Sequence, residues 1–242
     1  MSEPIVVIRG VEKWFGGLRA LGPVDVDLKP GERLGLIGPN GSGKTTLINC
    51  LSGLFVPDKG TIVYDGRDIT REPAFRRARM GIARSFQIPR PFTGMTVLEN
   101  LLVPMDYLGS HERSELERAD EVLASVGLAA RRDAPAESLS QLELRKLELA
   151  RALVTEPKVL VADEAMAGLS ENEIDDVLAL LMRLNDTGVA IIMIEHIMHA
   201  VMRFSQRMIC LETGRIIAMG TPQDVAQDRQ VQKVYFGERA GA

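Results

Sequence analysis

Residues 38–45 read Gly38-Pro39-Asn40-Gly41-Ser42-Gly43-Lys44-Thr45 and fit every position of the pattern G-x-x-x-x-G-K-[ST]. Glycines at these positions let the backbone curl until successive N–H groups point at phosphate oxygens. The segment that follows, Thr45-Thr46-Leu47-Ile48-Asn49-Cys50-Leu51, reads as a helix whose N-terminus adds partial positive charge. Lys44 has the reach for the β- and γ-phosphates, and the Thr45 hydroxyl suits Mg²⁺. Ahead of the loop, Leu34-Gly35-Leu36-Ile37 reads as a short buried strand. Strand, glycine-rich loop and helix together predict a nucleoside triphosphate site.

Two further groups extend that chemistry. The apolar run Val159-Leu160-Val161-Ala162 ends in Asp163-Glu164. Alone, paired acids after a strand would read as a helix cap or a solvated loop. Beside a phosphate loop, the first acid supports Mg²⁺ and the second polarises an attacking water as general base. Residues 189–194 form a continuous apolar run, typical of a central parallel strand, that ends in Glu195-His196. A lone histidine after a buried strand is usually a packing or capping residue. Here it stands at the C-terminal end of a parallel strand, where such sheets hold their ligands. A neutral His196 there can hydrogen-bond the γ-phosphate and hold the attacking water.

The elements needed to position these groups can be read along the chain. Residues 5–9, 24–28, 33–37 and 61–64 read as strands, separated by the turns Pro30-Gly31-Glu32 and Asp58-Lys59-Gly60. Helical periodicity then dominates at 97–102, 114–126 and 142–153, with Pro89, Pro91 and Pro104 interrupting it. Residues 171–184 form an amphipathic helix, 208–211 and 216–219 a hairpin, and the tail from Pro222 is helical. The expected fold is α/β: a P-loop NTPase core with a mixed central sheet, an N-terminal antiparallel β region and an inserted helical subdomain. One domain spans 1–242, with 1–87 and 152–242 as the ATP-binding core and 88–151 as the helical subdomain.

Composition bounds the partners. The chain has 242 residues, 45% hydrophobic and 26% charged, enough for a sizeable core. A net charge of −4 gives no electrostatic case for nucleic acid. Arg76, Arg77, Arg79 and Arg84 form a local basic cluster that reads as a solvated helix face. Cys50 and Cys210 lack metal-ligand spacing and read as buried thiols in a reducing cytoplasm. The N-terminus shows no basic start followed by an apolar stretch, and no apolar run approaches the roughly 18 residues that span a bilayer. Any membrane role is expected through a partner.

Taken in order, these motifs resemble the ATP-binding subunit of ABC transporters over essentially the whole chain. Within the resemblance Phe15, in Lys13-Trp14-Phe15-Gly16-Gly17, matches the aromatic that stacks on adenine, with Trp14 as the neighbouring candidate. Residues 38–46 match the phosphate loop, and Gln87, in Ser85-Phe86-Gln87, the glutamine that senses Mg²⁺ and the γ-phosphate. Asp163, Glu164 and His196 match the metal-supporting acid, the base and the switch histidine. Gly168-Leu169-Ser170 lies where a loop crosses the dimer interface. The resemblance implies Mg²⁺ bound through Thr45, Gln87 and Asp163. It implies a second ATP-binding subunit, either the same chain or a paralogue, and integral membrane permease subunits. It also implies a peripheral location on the cytoplasmic face of the cell membrane. The stretches Phe15-Gly16-Gly17-Leu18-Arg19-Ala20, Arg84-Ser85-Phe86-Gln87, Met95-Thr96-Val97-Leu98-Glu99-Asn100 and Ile194-Glu195-His196-Ile197-Met198 resemble the branched-chain amino-acid importer group. The ending through Val234-Tyr235-Phe236-Gly237-Glu238 does so too. Relatives in that group handle urea, amides or other small organic solutes.

One motif departs from the family pattern. The sequence that reaches the partner's ATP, L-S-G-G-Q or L-S-Y-G-Q, stands here as Leu139-Ser140-Gln141-Leu142-Glu143. Ser140 remains, to bond the γ-phosphate in trans. Leu142 must turn its side chain away to offer its N–H. Glu143 brings a negative charge toward another anion unless it turns to Arg145 or Lys146. The resemblance implies an ATP-hydrolysing motor that powers import of a branched-chain amino acid or a related amide- or urea-type solute by ATP-driven dimer closure; the altered motif leaves as the alternative a low-turnover ATP-binding regulatory subunit beside a paralogous ATPase.

Overall fold

The computed structural model describes residues 3–85, 89–108 and 115–236. The chain runs β1 (Val6–Phe15), β2 (Leu18–Leu28), β3 (Arg33–Ile37), α1 (Lys44–Leu51), β4 (Lys59–Tyr64), β5 (Arg67–Asp68), α2 (Ala74–Arg79) and β6 (Ile82–Ser85). It continues through α3 (Val97–Leu108), α4 (Glu115–Ser125), α5 (Gln141–Leu153), β7 (Val159–Asp163), α6 (Glu171–Asp186) and β8 (Ala190–Ile194). The last elements are α7 (Met198–Phe204), β9 (Arg207–Glu212), β10 (Arg215–Gly220), α8 (Pro222–Gln227) and α9 (Arg229–Phe236).

Two sheets form. One is antiparallel, in the order β2-β1-β4-β5, and the other has the order β10-β9-β3-β8-β7-β6. Within the second, β9, β3, β8, β7 and β6 are parallel, and β10 returns antiparallel along the β9 edge. This is the mixed sheet the sequence leads one to expect. All five residues of β7 and of β8 are buried, which is why neither shows polar alternation. Parallel pairing brings the C-terminal ends of β3, β7 and β8 to one edge. Leu36 pairs with Ile194, and Ile194 with Asp163. The residues just beyond those strands are the phosphate loop, Glu164 and His196.

Two apolar cores divide the molecule by sheet face. Leu34, Leu36, Ile48, Val159 and Ile192 pack with the antiparallel sheet on one face. Leu160, Ile191 and Met193 pack with α3–α7 on the other. Cys50 and Cys210 are both free and buried.

Two expectations need correction. Pro104 does not interrupt its helix; α3 runs through it to Leu108. Proline forfeits one backbone hydrogen bond, but fully buried Leu101 and Met105 on the same helix anchor it to the core. The arginine cluster is only half a solvated face: Arg76 and Arg79 are exposed, while Arg77 and Arg84 are not. Arg77 is 0% exposed, and its guanidinium donates to the carbonyls of Glu72, Cys50, Leu51 and Thr70. It holds the C-terminal end of α1, where helix carbonyls lack partners of their own. Arg84 lies on β6 and is also mostly buried, ion-paired with Asp163.

Candidate functional site

The phosphate loop folds as its composition requires. Gly38 is buried at φ 149°, where an added Cβ would collide with the Leu211 carbonyl oxygen at the end of β9. Gly41 and Gly43 also take positive φ, and Gly43 sits directly ahead of α1. The loop thus delivers Lys44 at the first position of α1, 6% exposed, with Thr45 exposed beside it. Lys44 Nζ donates to the carbonyls of Gly38 at 2.6 Å and Pro39 at 3.1 Å. Burial lowers the ammonium pKa, partly offset by the charges of Glu164, the Cys210 thiol and Asp163. The Ser42 hydroxyl is buried without a hydrogen-bond partner, as suits a loop shaped around an anion.

Asp163 ends β7, and its Oδ2 accepts from Arg84 at 2.6 Å, while Arg84 also donates to Asn49 on α1. That pair fixes the acid beside the phosphate-loop helix. Thr45 and Asp163 are hard oxygen donors of the kind Mg²⁺ takes alongside phosphate oxygens and water. Among the described residues no group of three or more His, Cys, Asp or Glu side chains is placed to hold a metal ion by itself. Gln87 lies outside the described residues.

Glu164 adopts φ 47°, and its backbone N–H donates to the Ile194 carbonyl at 2.9 Å. This left-handed kink turns the side chain out of strand direction. His196 Nε2 lies 3.1 Å from Glu164 Oε1. Glu164 and His196, 32 positions apart, are thus in hydrogen-bond contact. Next to them Glu195 is 3% exposed, and its carboxylate accepts the Met166 N–H at 2.8 Å. Burial pushes the Glu195 carboxyl up to about 7, with Glu164 adding to the rise, and Arg145 and the backbone donors opposing it.

Phe15 ends β1, exposed, edge-on to Phe55 at 5.2 Å between centroids and under Lys13 Nζ. Trp14 instead lies beneath Lys59 Nζ, with its N–H on Asp58. The two aromatics therefore have separate neighbours.

The departed motif forms the start of α5. Ser140 is the N-cap: its hydroxyl accepts the Glu143 N–H, and Glu143 Oε2 accepts the Ser140 N–H at 2.8 Å. Glu143 turns to Arg131, 3.0 Å away, rather than to Arg145 or Lys146. These bonds hold its pKa below the ordinary carboxylate value, the Ser140 N–H first among them. Leu142 packs its side chain against the core. Arg145 reaches the other way and donates to the Ala167 carbonyl. Gly168 takes φ 80°, a conformation that favours glycine, with the Gln141 side-chain amide lying over it. Ser170 caps α6 through Glu173. The segment 163–170 is thus tied to α5 and to Glu195. Arg84, Asn49, Arg145 and Glu195 escaped the sequence reading. Of these, only Glu195 carried a local signal, as a charged residue ending a buried apolar run.

Comparison with known proteins follows the same lines. Residues 21–167 match the family model described as ABC transporter, and residues 215–241 match that of the branched-chain amino acid ATP-binding cassette transporter. The chain is 37% identical to the high-affinity branched-chain amino acid transport ATP-binding protein BraF of Pseudomonas aeruginosa, over 98% of this chain and 100% of that protein. It is 38% identical to LivG of Escherichia coli, which carries the same description, over the same shares. Among solved structures, the ADP conformation of an ATP-binding cassette of an ABC transporter superposes with a TM-score of 0.89 at 32% identity, covering 98% of this chain and 100% of that one. A dimeric cassette in a post-hydrolysis state, bound to ADP and Pi, gives 0.81 at 25% identity over 90% of this chain and 98% of that one.

Proposed function

The chain belongs to the ABC transporter family and is an ATP-hydrolysing importer subunit, and we propose that the solute it drives is a branched-chain amino acid or a related small amide. The relatives BraF and LivG are described as transporting branched-chain amino acids. The match at residues 215–241 to a model of that same group supports carrying the description over.

In this reading Lys44, the 38–46 loop N–H groups and Phe15 bind ATP, with Thr45, Asp163 and Gln87 around Mg²⁺. Glu164 takes a proton from the attacking water, and His196 orients both water and γ-phosphate. Ser140 serves the ATP of a second cassette, either this chain or a paralogue. The observation that carries the assignment is the 3.1 Å contact between Glu164 and His196 at the edge that also bears the phosphate loop. Residues 88–151 act as the helical subdomain. The groove between α2 and α5, lined by Leu54, Ala78, Arg84, Pro104 and Arg151, receives the permease. Among the described residues no helix is long and apolar enough to cross a membrane; in this reading the chain is held on the cytoplasmic face through its permease subunits. The test is uptake of labelled leucine by vesicles holding the chain with its permease subunits. Uptake driven by ATP and lost in Glu164→Gln is expected; ATP hydrolysis without uptake of leucine, isoleucine, valine or a small amide would refute the solute.

A further inference from the structure

The C-terminal segment resembles the importer group in sequence, yet none of the chemistry above uses it. It is built with care. Thr221 and Asp224 cap α8 reciprocally, with Pro222 at its first turn. Asp228 Oδ1 then accepts the N–H groups of Gln230 and Val231 to start α9. Val225 and Val231 are buried in the core beneath β9 and β10. This folding carries Tyr235, on the last turn of α9, back to the phosphate loop. There the Gly38 N–H donates to the Tyr235 hydroxyl at 2.6 Å, across 197 positions of sequence.

Gly38 is an unusual residue to hold. Its carbonyl accepts from Lys44 Nζ at 2.6 Å. Its Cα is pressed against the Leu211 carbonyl so closely that no side chain fits. Both polar groups of this one residue are thereby engaged, the oxygen by the phosphate-binding lysine and the nitrogen by the C-terminal tyrosine. A buried N–H with no acceptor is disfavoured, and the Tyr235 hydroxyl is the acceptor for this one. Burial raises the Tyr235 phenol to about 12, so the hydroxyl stays neutral at any working pH.

We propose that Tyr235 is a positioning residue of the phosphate loop: its hydroxyl fixes the Gly38 peptide, and through it the resting place of Lys44, so that the C-terminal segment pre-shapes the loop for nucleotide. In this arrangement Tyr235 acts through the Gly38 peptide. Its contribution is to reduce the ordering that binding would otherwise require. The proposal rests on residues 38–46 holding the nucleotide.

The test is titration of the full chain with ADP and with ATP plus Mg²⁺, well below the melting midpoint. Tyr235→Phe removes the hydroxyl and keeps the ring. Its ADP Kd is expected to rise about tenfold, the size of one hydrogen bond to a buried amide. Val177→Ala removes buried methyl groups from α6, outside the C-terminal segment, and is expected to lower thermal stability while leaving the ADP Kd unchanged. A wild-type Kd in Tyr235→Phe would overturn the proposal. So would Val177→Ala raising Kd as much as Tyr235→Phe, since a general loss of stability would then explain the effect. If the unaltered chain bound neither nucleotide, the assignment of the loop would fail, and the role of Tyr235 with it.

Discussion

Residues 38–46, Asp163, Glu164 and His196 stand at the ends of hydrogen-bonded parallel strands, whereas Ser140 and Glu143 stand on the first turn of a helix outside the sheet. The first region obtains its geometry from backbone register. Once Leu36, Ile194 and Asp163 are aligned across the sheet, the groups beyond them converge. The second obtains its geometry from side-chain capping. Glu143 and Ser140 satisfy each other, and Arg131 neutralises the added charge. The difference shows why a glycine can be lost from the second region and not from the first. Leu142 needs only to turn inward, while any Cβ at Gly38 meets the Leu211 carbonyl. A sheet-edge site is defined by what the backbone cannot tolerate; a capped helix start is defined by a few replaceable side chains.

The largest expected effect lies in the sheet-edge region. Glu164→Gln keeps ATP binding and lowers turnover by about 10³-fold, within the range for loss of a general base. Hydrolysis near the wild-type rate, measured by phosphate release, would remove Glu164 from that role. Arg84→Met in the same region takes the donor from Asp163 and Asn49 and is expected to cost about 3 kcal/mol of stability in urea unfolding. The counterpart at the capped helix, Arg131→Met, breaks a half-exposed pair with Glu143 and should cost under about 1 kcal/mol. Similar losses at both positions would erase the contrast between the two regions. Ser140→Ala is expected to lower turnover about ten- to a hundredfold, the size of a hydrogen bond to a charged group, with monomer affinity for ATP unchanged.

A subtler effect concerns Glu195. Its carboxyl titrates at about 7 in the folded chain, against 4.5 as the ordinary value. Between those values the folded state holds more protons than the unfolded state, so stability falls as pH rises through that window. Glu195→Gln keeps an acceptor for the Met166 N–H and should gain about 2 kcal/mol at pH 8. The gain should shrink toward pH 4. A gain independent of pH would show that the charge of Glu195 is not what burial penalises.

How much of this was legible follows from the same contrast. The loop at 38–46, the Asp163-Glu164 pair and His196 were readable because each ends a short apolar run, and the runs themselves predicted the mixed sheet. The arginines misled because charge in a short stretch looks solvated, and nothing local records that Arg77 faces the end of α1. Pro104 misled because its local penalty is outweighed by the burial of Leu101 and Met105. The Arg84–Asp163 and Tyr235–Gly38 contacts join positions 79 and 197 apart. Such pairs leave no periodicity for a single sequence to reveal. The capping of Ser140 by Glu143 was legible in spacing as S-x-x-E, yet the glutamate was read only as an added charge.

If the capped start of α5 serves a nucleotide across an interface despite Leu142 and Glu143, Glu164→Gln must pair on Mg-ATP. Sedimentation of that variant with and without Mg-ATP is the decisive measurement. A monomer is expected without nucleotide and a dimer with it, reversed by adding Ser140→Arg to block the capped turn. A species that binds Mg-ATP at saturation yet sediments only as a monomer would contradict that role.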